Sequence, residues 1–136
     1  MNPRLIIIED EEPIRELYKR QLTLAGMQTD GFANGKEGLE AISKTQYNLL
    51  LLDIMLTDMN GLEILKQIKA NPQTKDLPVL LLTNLGQDAV IKEGFQLGAE
   101  GYMIKAAYTP DQIVQEVKNI LQRTQQTPAT PPQQPQ

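Results

Sequence analysis

The chain contains no cysteine and no histidine. Without thiols it has no disulfides, no thiolate metal sites and no cysteine nucleophile. Without imidazoles it cannot build a Ser-His-Asp triad or a His-ligated zinc site, and it cannot itself carry phosphohistidine. Tryptophan is missing too, and there are only two Phe, so any core must be mostly aliphatic. There is no basic excess either. Thirteen Lys and Arg against seventeen Asp and Glu leave a net charge of −4, which argues against a nucleic-acid-binding face. No apolar run approaches the roughly 20 residues needed to span a bilayer. The start, Met1-Asn2-Pro3-Arg4, passes at once into a run too short for a signal-peptide core and then into acids. The default expectation is a soluble cytoplasmic protein whose chemistry runs on carboxylates, hydroxyls, amides and lysine.

The 136 residues suit one domain. Four short apolar runs stand out: Leu5 to Ile8, Leu49 to Leu52, Val79 to Leu82 and the weaker Tyr102 to Ile104. The first three are continuous rather than alternating, which fits strands covered on both faces of a parallel sheet. A more polar stretch, Met27 to Phe32, is placed as a strand because helical patterns flank it. Those patterns carry their own punctuation. Pro13 opens a first helix with Ile14, Leu17, Gln21, Leu22 and Ala25 on one face. Asn34 with Glu37 resembles a capping box, and Asn60 precedes Leu62, Leu65 and Ile68. Val90, Ile91 and Phe95 lead to Gly98, a helix C-terminal signal. Thr109-Pro110-Asp111-Gln112 caps a last helix whose face is Ile113, Val114, Val117, Ile120 and Leu121.

Five strands alternating with five helices predict a doubly wound α/β domain with a parallel five-stranded sheet. From about Thr124 the composition turns to Gln, Pro and Thr. The expected division is a folded domain over 1–123 and a disordered tail or linker over 124–136.

In an open parallel sheet, ligands sit beyond the carboxyl ends of the strands. The first run ends in Glu9-Asp10-Glu11-Glu12, the third in Asp53, the fourth in Thr83-Asn84 and the fifth in Lys105. A single acid at a strand end is usually a helix cap or a solvated loop residue. Three acids, a threonine and a lysine at successive strand ends are a different matter. Glu9, Asp10 and Asp53 at close range repel one another unless a cation neutralises them. An all-oxygen set selects a hard divalent ion, and Mg²⁺ is expected.

The ordered segments Leu5-Ile6-Ile7-Ile8-Glu9-Asp10-Glu11, Leu50-Leu51-Leu52-Asp53-Ile54-Met55, Asp58-Met59-Asn60-Gly61-Leu62-Glu63, Leu81-Leu82-Thr83-Asn84 and Gly98-Ala99-Glu100-Gly101-Tyr102-Met103-Ile104-Lys105 resemble the receiver domain of two-component response regulators. The likeness covers about residues 3 to 123 and is closest to the single-domain, chemotaxis type. It implies the flavodoxin-like strand order 2-1-3-4-5. It also implies that Asp53 accepts a phosphoryl group as a carboxylate nucleophile, from phosphohistidine on a sensor histidine kinase or phosphotransfer protein. By the same likeness Asp10 ligates Mg²⁺ directly, Glu9 ligates it through water, and the Met55 backbone carbonyl adds an oxygen. Lys105 pairs with Asp53 and then with the phosphoryl group. Thr83 and Tyr102 match a switch pair that reshapes the face of the fourth helix, fifth strand and fifth helix for a downstream protein. On spacing alone Tyr102 could equally be an ordinary strand aromatic. The implied protein is a phospho-acceptor switch rather than an enzyme acting on other substrates, either monomeric or a phosphorylation-dependent homodimer. The alternative is an interaction module with this fold that never uses phosphate.

Three positions depart from the family pattern. Glu9 stands where Asp is commoner, Asn84 where a smaller residue is usual, and Ala106 where Pro normally follows the lysine. A cis bond before Ala costs about 2.5–4 kcal/mol, against about 0.5–1 before Pro, so a trans Lys105–Ala106 bond is expected. Met55 and Leu85, two residues beyond Asp53 and Thr83, are both apolar and cannot position a hydrolytic water. Other α/β phosphate chemistries lack their signatures. No second acid follows two residues after Asp53, as an Asp-dependent phosphatase needs. No Ser/Thr- and Gly-rich loop follows the first strand as in flavodoxins, and no Gly-x-x-x-x-Gly-Lys sequence is present.

Overall fold

A computed structural model describes residues 2–84, 87–105 and 107–129, the last five of these in backbone only. The chain alternates strictly. It runs β1 (Arg4–Ile8), α1 (Glu12–Leu24), β2 (Gln28–Phe32), α2 (Gly35–Lys44) and β3 (Leu49–Asp53). It continues as α3 (Gly61–Ala70), β4 (Val79–Thr83), α4 (Asp88–Gln96), β5 (Gly101–Ile104) and α5 (Pro110–Ala129). All strands pair in parallel, in the order β2-β1-β3-β4-β5. This is the flavodoxin-like arrangement expected from the family likeness. The backbone of α5 is helical through Ala129, across the boundary placed at 123/124. The remainder of the expected tail, residues 130–136, lies outside the described residues, as do Leu85 and Ala106 with the Lys105–Ala106 bond.

The continuous apolar runs have a plain cause. One face of the sheet, with Leu5, Ile7, Leu49, Leu51, Leu80, Leu82 and Met103, packs on Tyr18 and Leu22 of α1 and on Ile113, Val117, Ile120 and Leu121 of α5. The other face, with Ile6, Ile8, Leu50, Leu52, Val79 and Leu81, packs on Ile42 of α2 and Leu62, Ile64, Leu65 and Ile68 of α3. Both side-chain sets of β1, β3 and β4 therefore leave water. Each fully buried Leu or Ile adds about 1.5–3 kcal/mol, so the three central strands are the rigid part. The first helix departs in detail from its expected face. Leu17 is 40% exposed, while Tyr18 and Leu22 are buried. The stripe follows Ile14, Tyr18 and Leu22, four residues apart, and Leu17 falls beside it.

Local signals set the helix ends. Asn34 Oδ1 accepts from the Glu37 amide at 2.9 Å, and Asn60 Oδ1 from the Leu62 amide at 2.8 Å. At α5 the box is reciprocal: the Gln112 amide donates to Thr109 Oγ1 and the Thr109 amide to Gln112 Oε1. Gly98, with φ +107°, ends α4, and the next amide, Ala99, reaches back to the Gly94 carbonyl at 3.0 Å.

Gly61 lets α3 begin directly against β3. A Cβ there would overlap the Asp53 carbonyl oxygen and lie 2.6 Å from Ile54 Cα. Backbone cannot yield as a side-chain tip can. Gly61→Ala is expected to cost about 1–3 kcal/mol in urea denaturation, the range for overpacking a tight site.

Candidate functional site

The strand order reverses at β1: the chain first pairs β2 on one side, then β3 on the other. The crevice beyond β1 and β3 is the topological switch point where ligands bind in such sheets. The sequence places its acids there. Glu9 and Asp10 follow the last residue of β1, and Asp53 is the last residue of β3. One carboxylate oxygen from each of Glu9, Asp10 and Asp53 lies within 4.8 Å of the others. Glu9 is fully buried and Asp53 is 2% exposed, so two of the three charges are cut off from water.

Lys105, just past β5, brings its ammonium into this cluster. Its Nζ lies 3.0 Å from Glu9 Oε1, 3.2 Å from Asp53 Oδ2 and 3.4 Å from Glu11 Oε1. The lysine side chain is only 7% exposed. Backbone amides complete the restraint. The Glu11 amide donates to Glu9 Oε2 at 3.0 Å and the Met55 amide to Asp53 Oδ1 at 3.1 Å. Glu9 Oε1 and Asp53 Oδ2 face the ammonium but have no hydrogen bond of proper direction. Thr83, the last residue of β4, is 2% exposed, and its Oγ1 also lacks a partner. Buried polar atoms without partners are few in folded proteins. Here Thr83 Oγ1 has none, while Glu9 Oε1 and Asp53 Oδ2 share one ammonium between them.

The electrostatics agree with that crowding. Burial pushes the Glu9 carboxyl up to about 7, with the neighbouring Asp53 charge adding to the shift and the Glu11 amide and Lys105 opposing it. Burial likewise raises Asp53, against the pull of Lys105 and the Met55 amide. For Lys105 burial works against the charged form, yet the Glu9 and Asp53 carboxylates outweigh it and hold the ammonium above its ordinary value.

Tyr102 is not in the crevice. Its ring is 38% exposed on β5 and meets Phe95 of α4 edge-on, with centroids 6.0 Å apart at 86°. Met55 is exposed in the loop after β3, where it bridges to Asn60. Two neighbours of the site were given no role by the sequence, although Asp58 opens one of the segments that resemble the family. Arg15 of α1 donates from Nη1 to the Glu9 carbonyl at 2.9 Å. Asp58 accepts from the amides of Gly35 and Lys36, and these bonds hold its carboxyl below the usual range. Glu11 was visible as part of an acidic run, but only the fold shows that it reaches Lys105.

A crevice of this composition at the switch point of a five-stranded flavodoxin-like sheet defines a receiver-type signalling domain. The family model of the response regulator receiver domain matches residues 5–118, and the chain belongs to that family. It is 34% identical over 127 residues to the transcriptional regulatory protein SrrA of Staphylococcus aureus, covering 93% of this chain and 51% of that one. The chain thus spans about half the length of the curated relatives it matches. A crystal structure of a response regulator from Chloroflexus aurantiacus superposes with a TM-score of 0.85 at 33% identity, covering 90% of this chain and all of the other. A CheY-like receiver domain protein from Methanospirillum hungatei gives 0.86 at 25% identity over 93% of this chain and 98% of that one. Among the described residues no helix is long and apolar enough to cross a membrane.

The raised Glu9 carboxyl has a consequence for stability. Between its unfolded value of 4.5 and its folded value of about 7, the folded state binds more protons than the unfolded one. Metal-free protein should therefore lose stability as pH rises through that window. Urea denaturation in chelator across it should show the decline, and Glu9→Gln should flatten it.

Proposed function

We propose that this chain is a phospho-acceptor switch of a two-component system, in which Asp53 takes a phosphoryl group from phosphohistidine on a sensor histidine kinase or phosphotransfer protein. The observation that carries this is Asp53 Oδ2, a buried carboxylate oxygen at the end of β3 that faces the Lys105 ammonium at 3.2 Å. The Met55 amide holds the other oxygen, so the carboxylate is oriented with Oδ2 free to act as nucleophile. As Oδ2 forms its bond to phosphorus, the bond from phosphorus to the donor imidazole nitrogen breaks, and its electron pair stays with the imidazole. Lys105 remains beside the transferred oxygens and offsets their charge.

The donor set fits Mg²⁺. Three carboxylate oxygens within 4.8 Å, two of them on buried residues, are compensated by a single ammonium and lack soft or imidazole ligands. Glu9, Asp10 and Asp53, with the Met55 carbonyl, would hold the ion. Bound there, Mg²⁺ supplies further positive charge against the developing oxyanions. Thr83, with its unpartnered hydroxyl, then donates to a phosphoryl oxygen. Tyr102 leaves Phe95 and turns inward, reshaping the α4–β5–α5 surface for a downstream protein, in the cytoplasm and without nucleic-acid contact by this domain.

Incubation with Mg²⁺ and acetyl phosphate tests this by intact mass. Wild type should gain one phosphoryl group and Asp53→Asn none. Absence of modification in both would favour a phosphate-independent interaction module. Because the Met55 side chain is apolar and cannot position a hydrolytic water, the acyl phosphate should persist after the donor is removed. Decay complete within seconds would contradict that expectation.

A further inference from the structure

The loop from Ile54 to Asn60 carries the Met55 amide, which donates to Asp53 Oδ1 at 3.1 Å. It closes on itself at its base. The Gly61 amide donates to the Ile54 carbonyl at 2.7 Å, and Met55 bridges to Asn60. Its tip is held differently. The Asp58 side chain crosses to the start of α2, where Oδ1 accepts from the Gly35 amide at 2.9 Å and Oδ2 from the Lys36 amide at 3.1 Å. These are the first two N–H groups of α2, which no helical carbonyl can reach. The helix already has a local cap, since Asn34 Oδ1 takes the Glu37 amide at 2.9 Å. The second cap comes from more than twenty residues away, and what it adds is a tie between two elements.

That tie ends on something firm. α2 is pressed onto β1 so closely that a Cβ at Gly38 would run into the Ile8 side chain, and Ile8 directly precedes Glu9. At Gly35 a Cβ would meet Ile64 Cδ1 at 2.6 Å and Met59 Cγ at 2.7 Å, so the residue after Asp58 also packs against the helix start. The loop tip is thus anchored to a helix seated on the same strand that presents Glu9.

We propose that Asp58 is a positioning residue: it pins the loop after β3 to α2 and so keeps the Met55 amide on Asp53 Oδ1. The inference rests on reading Asp53 as the acceptor, and it assigns the orientation of that carboxylate to a contact outside the crevice. Asp58 is exposed, so replacing it opens no cavity and the fold should survive.

The test compares Asp58→Ala with Asp58→Asn, which keeps one acceptor oxygen, and with Asn34→Ala, which removes the other cap of the same helix. Two readouts are needed, amide hydrogen exchange of Met55 in metal-free protein and the rate of acetyl phosphate modification with Mg²⁺. Asp58→Ala removes both hydrogen bonds to α2 and should speed Met55 exchange and slow modification, each by about tenfold. Asp58→Asn should recover part of both, and Asn34→Ala should change neither. Wild-type exchange at Met55 in Asp58→Ala, or equal effects from Asn34→Ala, would overturn the proposal. If wild type itself is not modified, the acceptor reading fails. The exchange comparison then still decides whether Asp58 holds the loop.

Discussion

Like charge forced together at the end of a sheet is the constraint on which the rest of this molecule depends. Glu9, Asp10 and Asp53 converge with one ammonium among them. At an effective dielectric near 20, a lysine and a carboxylate about 3.2 Å apart attract by about 5 kcal/mol. Removing the charges from water costs several kcal/mol per ion. Lys105 therefore makes the cluster tolerable without neutralising it. The residual negative charge on these carboxylates is what the proposed cation and the proposed chemistry at Asp53 draw on.

Such an arrangement persists only on a scaffold that cannot relax. β1, β3 and β4 are buried on both faces, and Glu9, Asp53 and Thr83 stand at their ends along one edge of the sheet. The loops are fastened to that scaffold by polar contacts instead of apolar ones. Arg15 holds the Glu9 carbonyl and Asp58 the start of α2. Gly61 brings α3 onto the backbone of Asp53. Rigid strands set where the carboxylates begin, and fastened loops set where they point.

The surface of the proposed response is held by lighter contacts. Tyr102 is half exposed and held by an edge-on contact with Phe95, the kind of pair worth about 0.5–1.5 kcal/mol. Thr83 sits one element away with a hydroxyl that has nothing to bond. In the proposed switch, a weak aromatic contact is exchanged for a hydrogen bond to a strongly charged group. A few kcal/mol at Asp53 are enough to bias so shallow a balance.

Much of this was legible in the residues alone. Continuous Leu and Ile runs at Leu5 to Ile8, Leu49 to Leu52 and Val79 to Leu82 determine buried parallel strands, because both side-chain sets are apolar. Asn34, Asn60, Thr109 and Gly98 determine helix ends, because capping is a local matter of a few atoms. The acids and the lysine at strand ends could be read because a parallel sheet gathers those ends on one edge. Tertiary structure decided what depends on approach between distant segments. Tyr18 rather than Leu17 faces the core, since the exact rotation of α1 is set by its packing partners. Glu11 reaches Lys105, Arg15 holds Glu9 and Asp58 crosses to α2 through contacts that no spacing in the chain encodes. Composition and period determined the strands, the caps and the identity of the charges. Only folding decided how those charges are held, because their orientation is fixed by hydrogen bonds between parts of the chain that are neighbours in space alone.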